Sequence, residues 1–129
     1  MTPMEALADA IMQYEGWHRD SRSWRNRNPG NLRAYGSRQL VDADGYRIFD
    51  SLWDGFQALL DDLWSKFKGS HGLTPSSSIF DLISVYAPAS DNNKPELYAE
   101  YVCRAVSLTL GRHITPTTTL GDYINGSSG

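Results

Sequence analysis

Apolar residues recur at Met4, Leu7, Ala8, Ile11 and Met12, at offsets of three and four. That spacing predicts a helix buried along one side. Thr2 followed three residues later by Glu5 is a capping box, and Pro3 falls where a missing N–H removes no helical bond. The same spacing calls for an apolar residue at position 15. The chain places Glu15 there, with Gly16 behind it as a helix-ending residue.

The remaining elements follow from similar patterns. A polar loop, Trp24-Arg25-Asn26-Arg27-Asn28-Pro29-Gly30-Asn31-Leu32-Arg33, comes after the first helix. Gln39–Val41 and Tyr46–Phe49 are short β-prone runs around the turn Asp42-Ala43-Asp44-Gly45 and predict a small hairpin. A second helix starts at Ser51, with Asp54 in its first turn and Leu52, Phe56, Leu59, Leu60, Leu63, Trp64 and Phe67 on a broad apolar face. It is expected to be the central buried helix and to stop at Gly69. A third runs from Ser78 to the break at Pro88, turning Ile79, Leu82, Ile83 and Tyr86 inward. A fourth opens near Pro95 and carries Leu97, Tyr98, Tyr101, Val102, Ala105 and Val106 to about Leu108; Thr119–Ile124 suggests a last short helix. The fold expected is mainly α, a helical bundle with a small β-hairpin after the first helix.

Glu15 is where this pattern acquires chemistry. Burial and the negative end of the helix dipole both disfavour a charged carboxylate at that position, and Tyr14 and Trp17 offer an apolar wall. A carboxylic acid kept protonated is what a general acid needs to protonate a departing oxygen. The alternative is a structural glutamate bonded to a backbone amide or to Arg19 or Arg33.

Composition narrows the class. The 129 residues, 40% hydrophobic and 21% charged, suit one soluble domain with one core, with the last five or so residues as a flexible tail. A net charge of −3 argues against general nucleic-acid binding. Arg19, Arg22, Arg25, Arg27, Arg33 and Arg38 nevertheless crowd one segment, as an anion site or as a solvated surface. The single cysteine, Cys103, leaves no internal disulfide or cysteine-based zinc site and fits a small core residue. Asp42-Ala43-Asp44-Gly45 lacks the later carboxylates of a calcium loop. His71 lies in a loop with no visible partner. Neither a signal peptide nor a membrane span is expected.

Several of these residues together resemble a known group. Glu15-Gly16-Trp17 closing the first helix, then Asn28-Pro29-Gly30-Asn31-Leu32-Arg33, then Phe49 with Gly55 and Ala58, then Tyr86-Ala87-Pro88 with Asn92 and Tyr98, is similar to the lysozyme-like superfamily. The likeness is to its phage- and prophage-associated members, related to goose-type lysozymes and soluble lytic transglycosylases. It runs from about Met4 to Ile124, and the Asn-Pro-Gly-Asn-Leu-Arg string is its more specific part. The resemblance implies an α+β lysozyme-like fold whose hairpin is the small lobe beside a cleft. It implies cleavage of the β-1,4 bond between N-acetylmuramic acid and N-acetylglucosamine in peptidoglycan, with Glu15 as the acid. Asn28, Asn31 and Arg33 would offer donors to sugar amides and carboxylates, and Trp24 and Tyr98 would stack on pyranose faces. Tyr86 and the turn reaching Asn92 would form the opposite wall. Turn chemistry is an equally good account of the asparagines, and a core position of Tyr98.

Glycosidases ordinarily use two carboxylates. Asp20, Asp42, Asp44 and Asp50 are available, and none has a distinguishing spacing from Glu15. A scheme with one glutamate, acid and then base, follows, with a muramoyl 6-hydroxyl (transglycosylase) or a water (muramidase) as nucleophile and with no cofactor or metal. The expected partners are peptidoglycan glycan strands, with no nucleic acid, and the chain is expected to be monomeric. It would be virion-associated, or made in the cytoplasm and delivered to the wall by another system. Two alternatives stand beside this: a non-catalytic lysozyme-like virion or wall-binding module, and an enzyme for another amino-sugar polymer such as chitin.

Overall fold

The computed structural model describes residues 1–34, 39–88 and 93–126, so the expectations for Arg38, Asn92 and the last three residues lie outside it. The described residues contain six α-helices: α1 Pro3–Tyr14, α2 Arg22–Arg25, α3 Leu52–Phe67, α4 Ile79–Tyr86, α5 Pro95–Leu110 and α6 Leu120–Asn125. The fold is mainly helical. No helix among the described residues is long and apolar enough to cross a membrane.

The helix starts follow local chemistry. In α1 the Thr2 hydroxyl accepts from the Glu5 amide at 3.1 Å and the Glu5 carboxylate accepts from the Thr2 amide at 2.9 Å. Ser51, Ser78 and Thr119 cap α3, α4 and α6 in the same way, each accepting from an amide three residues on. The one-turn helix α2, capped by Ser21, is too short for periodicity to announce.

The centre of the core is not α3, as the width of its apolar face suggested, but the pairing of α1 with α5. In α1 the residues Met4, Ala6, Leu7, Ala8, Ala10 and Ile11 are all buried, and α5 answers with Tyr98, Ala99, Val102, Cys103 and Val106. α4 packs on α5, and α6 closes over the start of α1, where the Tyr123 hydroxyl donates to the Pro3 carbonyl at 2.6 Å. Burial pushes the Cys103 thiol up to about 11, as suits a small core residue. α3 buries only Gly55, Leu59, Leu63 and Lys66; its Leu52 and Trp64 are exposed, as are Leu97, Tyr101 and Leu108 of α5.

The segment expected to be a hairpin forms isolated antiparallel bridges, Val41 with Arg47 and Arg33 with Tyr46, and no strand ladder among the described residues. Its backbone bonds are shared among three partners. Ile48 donates to Leu40, Arg47 to Leu32 and Phe49 to Asn26. A two-stranded ladder would need those groups to face a single neighbour. The turn is organised by Asp42, whose carboxylate accepts from the Asp44 and Tyr46 amides and from the Asn26 side chain. Partial burial pulls Asp42 upward, but these bonds and nearby Arg22 outweigh it and hold the carboxyl below the usual carboxylate range.

α3 meets the loop before it at Gly55. A Cβ there would collide with the Arg27 carbonyl oxygen and come within 2.9 Å of the Pro29 ring. Gly55→Ala is therefore expected to destabilise the fold by roughly 1–3 kcal/mol through overpacking, read as a lowered melting temperature. An unchanged melt would show that helix and loop separate freely.

Candidate active-site groove

Glu15 caps the C-terminal end of α1, and its backbone amide closes the last turn on the Ile11 carbonyl at 2.9 Å. Gly16, at φ +83°, then turns the chain away in a conformation that favours glycine. The Glu15 side chain, half-buried, is met by two donors from distant segments. The Tyr98 hydroxyl of α5 donates to Oε2 at 2.7 Å, and the Asn31 amide nitrogen donates to Oε1 at 3.2 Å. No cation among the described residues pairs with it. This is neither of the structural arrangements foreseen from sequence, since both donors are neutral side chains.

Tyr98 is wholly buried. Its ring lies 3.8 Å from that of Tyr14, centroid to centroid, and edge-on to Tyr86 at 6.4 Å. Burial first, then the neighbouring Tyr86 and Glu15, raises its phenol well above the ordinary tyrosine value. The hydroxyl therefore stays protonated and donates to the carboxylate.

Asn31 is held under two local constraints. Its φ is +48°, a left-handed conformation that asparagine tolerates better than most residues, and its Oδ1 is buried without a protein partner. Turning the amide over would aim that oxygen at a Glu15 oxygen, so the carboxylate fixes the orientation. An unsatisfied buried acceptor is unfavourable by about 1–3 kcal/mol, and such costs concentrate at functional sites.

Glu15 and Asn31 open on a groove of about 300 Å³. Its lining comes from Gly30–Arg33 and Tyr46, from Asp62 and Lys66 on α3, from His71, and from the end of α4 through Pro88 together with Asn93. Gly30 and Tyr86 meet there: the tyrosine hydroxyl donates to the Gly30 carbonyl, and a Cβ on residue 30 would lie 2.5 Å from that hydroxyl.

Of the residues singled out from sequence, Glu15, Asn31, Arg33 and Tyr86 share this groove. Asn28 does not. It is wholly buried, its amide donates to the carbonyls of Leu32 and Arg47, and its oxygen accepts from the Leu32 amide. It ties the loop to the segment after the turn and has no free donor for a ligand. Tyr98 lies behind Glu15 as a donor and not as a surface for stacking. Trp24, 39% exposed on α2, is not part of the groove lining, and Asn92 lies outside the described residues.

Among the described residues of the arginine cluster, Arg22, Arg27 and Arg33 have separate partners. Arg22 pairs with Asp44 and Asp42, and Arg27 donates to the Phe49 carbonyl. Arg33 donates to the Asp44 carbonyl and the Tyr46 hydroxyl, and Arg22 and Arg33 each lie 4.4 Å from the centre of the Tyr46 ring.

None of Asp20, Asp42, Asp44 and Asp50 lines the groove, whereas Asp62 does, 2.7 Å from the Lys66 ammonium. Asp62, Lys66, Tyr46 and His71 went unread in the sequence as groove residues. Position 66 carried a usable signal, because it continues the inward series Leu59, Leu63 with a charged residue, as Glu15 continues that of α1. His71 sits in the short turn Ser70–Gly72 with its ring near the Ser70 hydroxyl, exposed but on the groove.

Comparisons with protein-family models, with curated proteins and with solved structures find no match to this chain.

Asn28→Ala is expected to lower stability by roughly 2–3 kcal/mol, since it takes the side-chain partner from the Leu32 amide and the Arg47 carbonyl, while the Leu32 carbonyl keeps its bond from the Arg47 amide. Denaturant unfolding measures this. A variant as stable as the parent would return Asn28 to the ligand-binding candidates.

Proposed function

We propose that this chain is a lysozyme-like, peptidoglycan-cleaving glycosidase acting on the β-1,4 bond between N-acetylmuramic acid and N-acetylglucosamine, with Glu15 as its general acid and base. One observation carries the reading: a carboxyl group at the end of a buried helix, fixed by two neutral donors, paired with no cation among the described residues, and open to a groove. A structural glutamate is better served by a cation or backbone amides. A proton-transfer group needs instead a fixed position and access to a ligand.

In this scheme Glu15 gives its proton to the glycosidic oxygen as the bond to the anomeric carbon breaks, leaving an oxocarbenium-like sugar. The resulting carboxylate then takes a proton from the incoming nucleophile, a water or the muramoyl 6-hydroxyl, as that oxygen bonds to the anomeric carbon. Tyr98 and Asn31 hold the carboxylate through both steps. The other carboxylate among the described groove residues, Asp62, is engaged by Lys66, which favours a mechanism with one glutamate over one with two free acids. Arg33, with donors beyond the two it gives to Asp44 and Tyr46, and the ring of Tyr86 also line the groove, and this reading assigns them contacts with sugar substituents.

Glu15→Gln is expected to lower release of soluble fragments from purified cell walls by about 10²–10⁴-fold, the range for loss of a general acid, with an unchanged circular dichroism spectrum. Equal clearing by both proteins would remove Glu15 as the acid. Wall binding without fragment release by the parent would instead favour a non-catalytic wall-binding module. Counting 1,6-anhydro against reducing ends among the products separates transglycosylase from hydrolase. Digestion of chitin in parallel tests the other amino-sugar polymer.

Tyr98→Phe keeps the ring and removes only the donor to Glu15. Its turnover is expected to fall about tenfold, the equivalent of one net hydrogen bond, while KM stays close to the parent's. Parent-like turnover would show that Asn31 alone positions the acid.

A further inference from the structure

Lys66 is 4% exposed, on the inward side of α3 one turn beyond Leu63, and it lines the same groove as Glu15. Its ammonium has the Asp62 carboxylate at 2.7 Å and the Tyr86 ring centre at 5.7 Å. An ammonium carries three N–H donors, and Asp62 takes one of them. The Tyr86 ring offers the charge a weakly attractive face. No other carboxylate or backbone carbonyl among the described residues completes the set.

Packing does not account for this pair. Removing an ammonium and a carboxylate from water is unfavourable, and an apolar pair of similar volume often serves a protein interior as well or better. Leu59 and Leu63 show what the same face of α3 otherwise uses. The i, i+4 spacing lets Asp62 fix the direction of the Lys66 side chain. The result is a positioned cation with donors that no described residue takes up, and the other arginine or lysine among the described groove residues, Arg33, already gives donors to the Asp44 carbonyl and the Tyr46 hydroxyl.

We infer that Lys66, oriented by Asp62, recognises a carboxylate on the glycan lying along Glu15, so that the groove selects an acid-bearing amino-sugar chain over a neutral one. The inference rests on the glycosidase reading of this groove and adds to it the residue that distinguishes muramic-acid-containing strands from chitin-like ones. The acid group is the 3-O-lactyl carboxylate, free in strands stripped of their peptides.

The test is a binding measurement on the full chain carrying Glu15→Gln, so that no ligand is consumed. Two tetrasaccharides are titrated calorimetrically: one of N-acetylglucosamine alone, and one alternating N-acetylglucosamine with N-acetylmuramic acid, its lactyl carboxylates free. The acidic ligand is expected to bind at least about tenfold more tightly, as a hydrogen bond to a charged group implies. Adding Lys66→Met should bring the two affinities within about twofold. Because that change leaves Asp62 without its partner, the double change Asp62→Leu with Lys66→Met is measured alongside, after its melting curve shows a folded protein. It should lose the preference equally.

Equal affinity of the starting protein for both ligands, binding of neither, a preference surviving in the folded double variant, or an equal loss for both ligands would each overturn the inference. Failure of the glycosidase reading looks different. A chain that releases nothing from cell walls yet shows a preference that depends on Lys66 keeps the recognition site and loses the enzyme. A chain that cleaves walls without that preference keeps the enzyme and loses the recognition site.

Discussion

A carboxylate at the end of a buried helix face must find donors or leave for solvent, because burial without compensation is strongly unfavourable. Glu15 finds them in the Tyr98 hydroxyl and the Asn31 amide, and much of the architecture bears on that meeting. α5 brings Tyr98 to the end of α1 because the two helices pack along their buried faces. The loop brings Asn31 there because Asn28, sealed beneath it, fixes the loop's path. Neither donor carries charge, and no cation among the described residues pairs with the Glu15 side chain.

The rest of the groove follows the same division between framework and ligand-facing groups. Asn28, Arg27, Asp42 and Arg22 bond to backbone or to each other and tie Arg22–Leu32 to the segment Asp42–Phe49, with no β-ladder among the described residues. Asn31, Arg33, Tyr86 and Lys66 occupy the surface those contacts create. A region rich in arginine and asparagine therefore contains two populations. One closes the loop, and the other is left at the groove.

Two charged residues sit where helical periodicity calls for apolar ones, and both line the groove: Glu15 at the end of α1 and Lys66 within α3. Such departures conflict with local patterning and persist where function compensates for them. Glu15 stood out in the sequence because its stripe was clean and a glycine followed at once. Lys66 was masked by Trp64 and Phe67, which made the apolar face of α3 look broader than it is; Trp64 proves to be exposed.

What the chain determines locally is where its helices begin and end and which face of each is buried. Caps at Thr2, Ser51, Ser78 and Thr119 and stripes at three- and four-residue spacing encode this within a few residues. The anomaly at Glu15 is legible for the same reason. Periodicity does not encode the partner of a buried face, so α3 and α5 could not be ranked by their patterns. Nor could it show that Tyr98, 83 residues away, and Asn31, 16 away, would meet Glu15. Those encounters depend on how closely whole helices approach and where a loop is tied down. Tertiary packing alone therefore decided that Asn28 is buried, that Tyr98 is a donor, and that Asp62 and Lys66 face the same groove as the acid.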